Sequence, residues 1–400
     1  MATLSDSAVD WLAANEAELV SWRRDLHAHP EIAYTEHRTT ELIKGLLSGF
    51  GLKPRPLSIG TGVICDIGSG PAFVGLRADI DALPLPDSKS VAYASQNPGV
   101  CHACGHDAHT TILLGVAATL ARAQADGMLR GSVRLIFQPA EERMPGGAEA
   151  VVKEGGLDGV TSIFALHCDP KLDVGQVGLR VGPITASSSQ VEIRLTGPGG
   201  HTARPHLTVD VVYALGKLIT ELPGLLSRRV DPRSAVSLVW GAVAAGSAAN
   251  AIPPAGILRG TVRMLDGQLW DQLENVVREL AEQTVAATGV QIDIDYDPGV
   301  PAVTNDGALV GIQTQAALAA FGPQAVSDTP QSMGGEDFAW YLRTVPGSLA
   351  RLGVRSPGQQ SGDLHQSNFD IDEDALAVGV RFTTAILDQL FDEAANPPAG

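Results

Sequence analysis

Positive charge is scarce in this 400-residue chain: 28 Lys and Arg stand against 45 Asp and Glu, a formal net charge of −17. No Lys or Arg run breaks that balance, so neither a nucleic-acid backbone nor an anionic membrane is an expected partner. Cysteine is scarcer still. Four thiols, Cys65, Cys101, Cys104 and Cys168, cannot staple so long a chain, and the expected compartment is the cytosol, the protein being cytoplasmic. The N-terminal stretch carries acidic groups where an export signal needs a basic start and an unbroken apolar core. A long apolar run is missing too. The uncharged stretch AVSLVWGAVAAGSAANAI (235–252) approaches a membrane span in length, but its Gly, Ser and Asn content reads as a strand and a turn. No internal repeat points to a solenoid. What is present is 44% hydrophobic residues, enough for a large core in more than one domain. Small molecules and further copies of the chain are the expected partners.

Strand and helix patterns take turns through the first 185 residues. WLAANEAELVSWRRDLHAHPE and TTELIKGLLSGFG have helical apolar spacing, and GVICDIG and AFVGLRADI read as strands. TTILLGVAATLARAQADG then reads as a helix, SVRLIFQP as a strand, GAEAVVKEGGL as a short helix and SIFALH as a strand. Such alternation predicts an α/β layer with parallel strands. From about residue 186 to 299 the order becomes strand, helix, strand, strand, helix, strand, a ferredoxin-like α+β unit. Residues 300–400 return to helices around the strand GSLARLGV and then present His365 in DLHQSNF. If His365 joins the polar residues of the first segment, the domains are 1–185 with 300–400, interrupted by 186–299.

Residues suited to chemistry recur in one kind of place. Asp79 ends a predicted strand, Glu141 and Glu142 follow another, and His167 closes a third; the carboxyl ends of strands are where open α/β sheets build sites. CHACGHDAHT (101–110) adds two cysteines and three histidines within ten positions. Its C-x-x-C has the form of a redox pair at a helix start. Disulfide exchange, however, has no use for neighbouring imidazoles and paired glutamates, whereas thiolate, imidazole and carboxylate together suit a divalent ion such as Zn²⁺. Cys104 and His106 can face one ion if Gly105 permits the turn. Glu141 and Glu142, as chain neighbours, point in different directions, so one can ligate while the other acts as a base. Cys65 and Cys168 read as core residues.

RADIDALP (77–84), NPGVCHACGHDAHT (97–110), VRLIFQPAEE (133–142), GPGGHTARPH (197–206), GGEDFAWYL (334–342) and LHQSNFDIDE (364–373) resemble, in that order, the M20 family of metallopeptidases. The likeness is to its amidohydrolase branch, which holds hippurate hydrolases, N-acyl-amino-acid amidohydrolases and auxin-conjugate hydrolases. The resemblance implies a mixed-sheet di-metal peptidase-like catalytic domain with the α+β unit inserted as a lid or dimerisation domain. It implies Cys104, His106, Glu142, His167 and His365 as ligands of two divalent ions, Zn²⁺ or Mn²⁺ first and Co²⁺ or Ni²⁺ after them. Five ligands leave two ions undersaturated unless one bridges, and the Cys104 thiolate is the expected bridge. Glu141 would be general base and acid, with Asp79 orienting a ligand. His109 reads as a helix-start residue rather than a ligand. In the inserted unit His201 would stabilise the oxyanion, from its own or a partner subunit, while Asn250 and Arg263 would grip the substrate. The implied activity is metal-dependent hydrolysis of N-acyl amino acids by a homodimer or higher homo-oligomer. A dipeptidase or carboxypeptidase of the same family, and a binding protein that kept only the scaffold, are the alternatives.

Overall fold

A computed structural model of the chain describes residues 3–69 and 73–395. They form two compact units: Met1–Gly182, Asn305–Pro330 and Trp340–Gly400 make the first, and Pro183–Thr304 with Gln331–Ala339 the second. The second unit thus reclaims a piece of chain beyond residue 299, because Ser332 pairs by backbone with Ile184 and Ala186 (2.9 and 3.0 Å). Hydrophobic periodicity carries no trace of so short a return.

In the first unit β1 (Arg55–Pro56), β2 (Val63–Ile67), β3 (Val74–Asp79), β4 (Val133–Gln138), β5 (Ser162–Asp173) and β6 (Val177–Leu179) join strands Val326–Asp328 and Gly347–Arg355 in one mixed sheet. Its order is β1, β2, β4, β3, β5, Gly347–Arg355, β6, Val326–Asp328. The middle of the sheet, from β4 through β3 and β5 to Gly347–Arg355, is parallel, and β2 runs antiparallel to β4. VGLRAD and VRLIFQ are almost continuously buried, as parallel strands covered on both faces must be. Helices α1 (Leu4–Ala28), α2 (His37–Gly49) and α3 (His106–Ala125) come from the N-terminal half, and Asp374–Ala395 closes the chain. α3 packs against α1 and the C-terminal helix and is buried at every position from His106 to Leu120, so it shows no amphipathic stripe.

That helix begins four residues before the TTILLGVA pattern does, at His106. Gly105 precedes it at φ +90°, where a Cβ would stand 2.8 Å from the Cys168 Sγ. Both the torsion and the space demand glycine.

In the second unit strands Gln291–Val300, Ser187–Thr196, Ala255–Met264 and Ser237–Ala245 lie side by side in that order, all antiparallel. In chain order this is 4-1-3-2, the ferredoxin-like arrangement, with helices Val211–Arg229 and Trp270–Val285 packed on each other and on the sheet. Ser237–Ala245 is an edge strand without a charged residue and with Val239 and Val243 exposed. Among the described residues no helix is long and apolar enough to cross a membrane.

Candidate dinuclear metal centre

Strand register brings the site together. Asp79 ends β3 opposite Gln138, so the chain leaving β4 as Pro139–Glu142 emerges beside it. His167 does not close its strand, as the pattern suggested. β5 runs on to Asp173 because Gly347–Arg355 pairs with it that far, while its pairing with β3 stops at Ala165. His167 therefore stands where one side of β5 has lost its neighbour, open towards Cys104.

The Cys104 Sγ is 3.5 Å from the His167 Nε2. His167 donates from Nδ1 to the Cys168 carbonyl (2.8 Å), and His106 donates from Nδ1 to the Asp81 carbonyl (2.9 Å). A carbonyl only accepts, so each ring carries a proton on Nδ1 and presents Nε2 to the interior, the atom a cation would take once any proton there is displaced. The His106 Nε2 is buried without a hydrogen-bond partner, 3.8 Å from Glu142 Oε1 and 4.0 Å from Glu141 Oε2. His365, at φ +61° with its backbone N–H donating to the Ala103 carbonyl, brings Nε2 to 3.3 Å from Glu142 Oε1. Donor atoms of Cys104, His106 and His167 lie within 4.8 Å of one another, and so do those of Cys104, Glu142 and His365. The two triads share one sulfur.

Charge fits the same reading. Burial raises the Cys104 thiol well above its ordinary value, with Glu142, Glu141 and Asp79 adding to the rise. Burial opposes a charged His106, yet Asp79, Asp81 and Glu142 outweigh it and push its pKa up to about 10. The Glu142 carboxylate likewise draws His365 upward, whereas burial drives His167 well down. Negative groups are in excess here, and an orphaned imidazole nitrogen aims at them. Such a donor set fits divalent cations, which take thiolate, neutral imidazole and carboxylate together.

Two supporting residues escaped the sequence reading. Asp81 accepts the amide N–H groups of Glu141 and Glu142, one on each carboxylate oxygen (3.0 Å each), while its carbonyl fixes His106. Its signal was its place two residues beyond Asp79 in RADIDALP. His109 has both ring nitrogens engaged and is more than a helix-start residue. Its Nδ1 bonds Asp79 Oδ1 (2.6 Å) and its Nε2 accepts the Cys168 amide (2.8 Å), tying β3 and β5 to α3. Asp79 is buried between His109, Arg77 (2.6 Å) and His106 (3.6 Å); burial opposes its charge, but His106, Arg77 and His109 hold its carboxyl well below the usual range.

His201, Asn250 and Arg263 belong to the second unit. His201 lies on a short strand pairing with Ala251, next to Asn250, and both are exposed. Its Nδ1 accepts the Ala203 amide (3.1 Å), which leaves Nε2 as the donor of the neutral ring. Arg263, near the end of its strand, donates to the Met333 carbonyl.

Residues 75–389 match peptidase family M20/M25/M40. The chain belongs to this family. The N-acetyl-L-cysteine deacetylase of Bacillus subtilis (strain 168) is 38% identical over 384 residues, covering 95% of this chain and 90% of that protein. The YXEP protein of Bacillus subtilis, described as a dinuclear metal-binding peptidase of family M20, has 34% identity and a TM-score of 0.82 over 95% of this chain and 99% of its own. A Rhodococcus jostii (strain RHA1) protein bearing the name glutamate-cysteine ligase 2-3 is 46% identical over 95% of this chain, which spans about half (47%) of its length. The M20 chain described here is accordingly a hydrolase of the M20 amidohydrolase kind.

Proposed function

We propose that this M20 hydrolase cleaves the amide bond of N-acyl amino acids, releasing a carboxylic acid and a free amino acid. The observation that carries the reading is the sulfur shared by two ligand triads, with the Glu141 carboxylate 4.0 Å from one of them. Cys104, His106, Glu142, His167 and His365 would hold two divalent ions. Zn²⁺ suits the thiolate best, and Mn²⁺, Co²⁺ or Ni²⁺ tolerate the mixed set. Cations bound there would polarise the acyl carbonyl and lower the pKa of water beside it.

Glu141 then takes the proton from the attacking water and returns it to the leaving amine as the bond breaks. His201 donates from Nε2 to the developing oxyanion, and Asn250 and Arg263 hold the substrate, the guanidinium fork suiting its carboxylate. Asp79 fixes the His109 ring by a hydrogen bond and orients His106 through its charge. The name of the Bacillus deacetylase favours small N-acyl groups, and four buried thiols suit a reducing cytosol. The uncharged edge strand Ser237–Ala245 offers a face on which two copies can pair.

The test is a panel of N-acetyl, N-benzoyl and indole-acetyl amino acids set against dipeptides, with and without chelator, for the parent and E141Q. E141Q is expected to keep its metal by elemental analysis and lose on the order of 10³-fold in kcat. Parental turnover in that variant removes the general base, and a preference for dipeptides moves the protein to the peptidase branch.

A further inference from the structure

The chain turns sharply between β4 and Glu142, and Ala140 in that turn sits at φ +57°, a conformation that strains any residue bearing a Cβ. Something must hold it. Three successive amide N–H groups in this turn are taken by buried carboxylates from elsewhere: Ala140 donates to Glu36 Oε1 (2.8 Å), and Glu141 and Glu142 donate to the two oxygens of Asp81 (3.0 Å each). Glu36 is fully buried at the N-cap position of α2, and its side chain makes no cap bond to that helix. The same Oε1 also accepts the amide of Tyr34 (3.0 Å), itself at φ +64°. One oxygen thus fastens two strained backbone positions, and one of them is joined directly to Glu141.

We propose that Glu36 is a positioning residue for Glu141: by gripping the Ala140 amide it sets the direction in which the Glu141 carboxylate leaves the turn, while Asp81 keeps Glu142 in place. The inference rests on the reading of Glu141 as the general base. Glu36 touches none of the proposed ligands and acts through backbone alone. Burial pushes its carboxyl up to about 7, with the charge of Asp81 adding to the rise. What the turn needs near neutral pH is therefore an acceptor oxygen at that point, which glutamine also supplies.

The experiment compares the metal-loaded parent with E36A, E36D, E36Q and E141Q, reading kcat, KM and metal content on the best substrate of the panel. E36A and E36D lose roughly 10- to 100-fold in kcat, the range expected when a supporting contact is removed, with KM and metal content unchanged. E36Q recovers kcat towards the parent value. Parental kcat in E36A and E36D overturns the inference, as does an E36Q no better than E36A, or a loss of metal that accompanies the loss of rate. If E36A does not fold, E36D against E36Q decides on the same criteria. An inactive E141Q beside a fully active E36A sinks the positioning role alone, whereas a fully active E141Q sinks the general base on which it depends.

Discussion

Glu36 also titrates in a range where its protonation changes stability. Its carboxyl faces the Asp81 carboxylate, the Thr61 hydroxyl and the amides of Tyr34 and Ala140, and it stands at about 7 in the folded chain against an ordinary 4.5. Between those values the native state keeps a proton that the unfolded chain has released, so this residue makes stability fall as pH rises across the window. E36Q cannot ionise. Urea unfolding at pH 5 and pH 8 should show the variant gaining on the parent at the higher pH, by up to about 3 kcal/mol; a pH-independent difference would mean that Glu36 is not perturbed. What could be read from sequence divides along the same line. That Cys104, His106, Glu142, His167 and His365 would gather was legible from the resemblance to family M20, supported by the few side chains that metal chemistry admits. Glu36, Asp81 and His109 act by accepting backbone N–H groups or steadying another side chain, and that work leaves no pattern in residue type. Gly105 lies between: its need for a tight turn was foreseeable, but its contact with the Cys168 sulfur depends on a strand distant in sequence.

At the scale of elements, packing between helices supports two of the proposed metal ligands, His106 and His365. Arg23 on α1 is wholly buried and donates to Asp107 (2.8 Å), the residue after His106, and to Asp370 (2.6 Å), five residues beyond His365. Asp370 also accepts the Tyr93 hydroxyl (2.8 Å), while His27 bonds Asp107 from the next turn of α1 (2.7 Å). One guanidinium so links α1, α3 and the segment that carries His365. Replacing it with a residue of similar bulk, Arg23→Met, removes the cation shared by Asp107, Asp370 and Glu373 and should lower stability by about 3–5 kcal/mol, seen as a drop in the urea midpoint. A midpoint within error of the parent would show that the network is hydrated and dispensable. The α/β alternation, the ferredoxin-like order and most helices were legible because period and composition determine them locally. The continuation of β5 past His167 was not, because it depends on a partner strand supplied about 180 residues later.

Across the whole molecule, the proposed ligands come from four separate stretches of chain, at 104–106, 142, 167 and 365. Cations bound among them would act as cross-links, so chelation is expected to lower the thermal midpoint and metal in excess to restore it. Equal midpoints in both states would argue against ions at this place. Sheet order carries a further consequence. Gly347–Arg355 lies between β5 and β6, so the parallel block of the sheet lacks its last strand until about 180 residues beyond β5 have been made. At ordinary elongation speeds β5 waits roughly 10–40 s for that neighbour, with an unpaired edge that any chain stalled before Gly347 would expose for good.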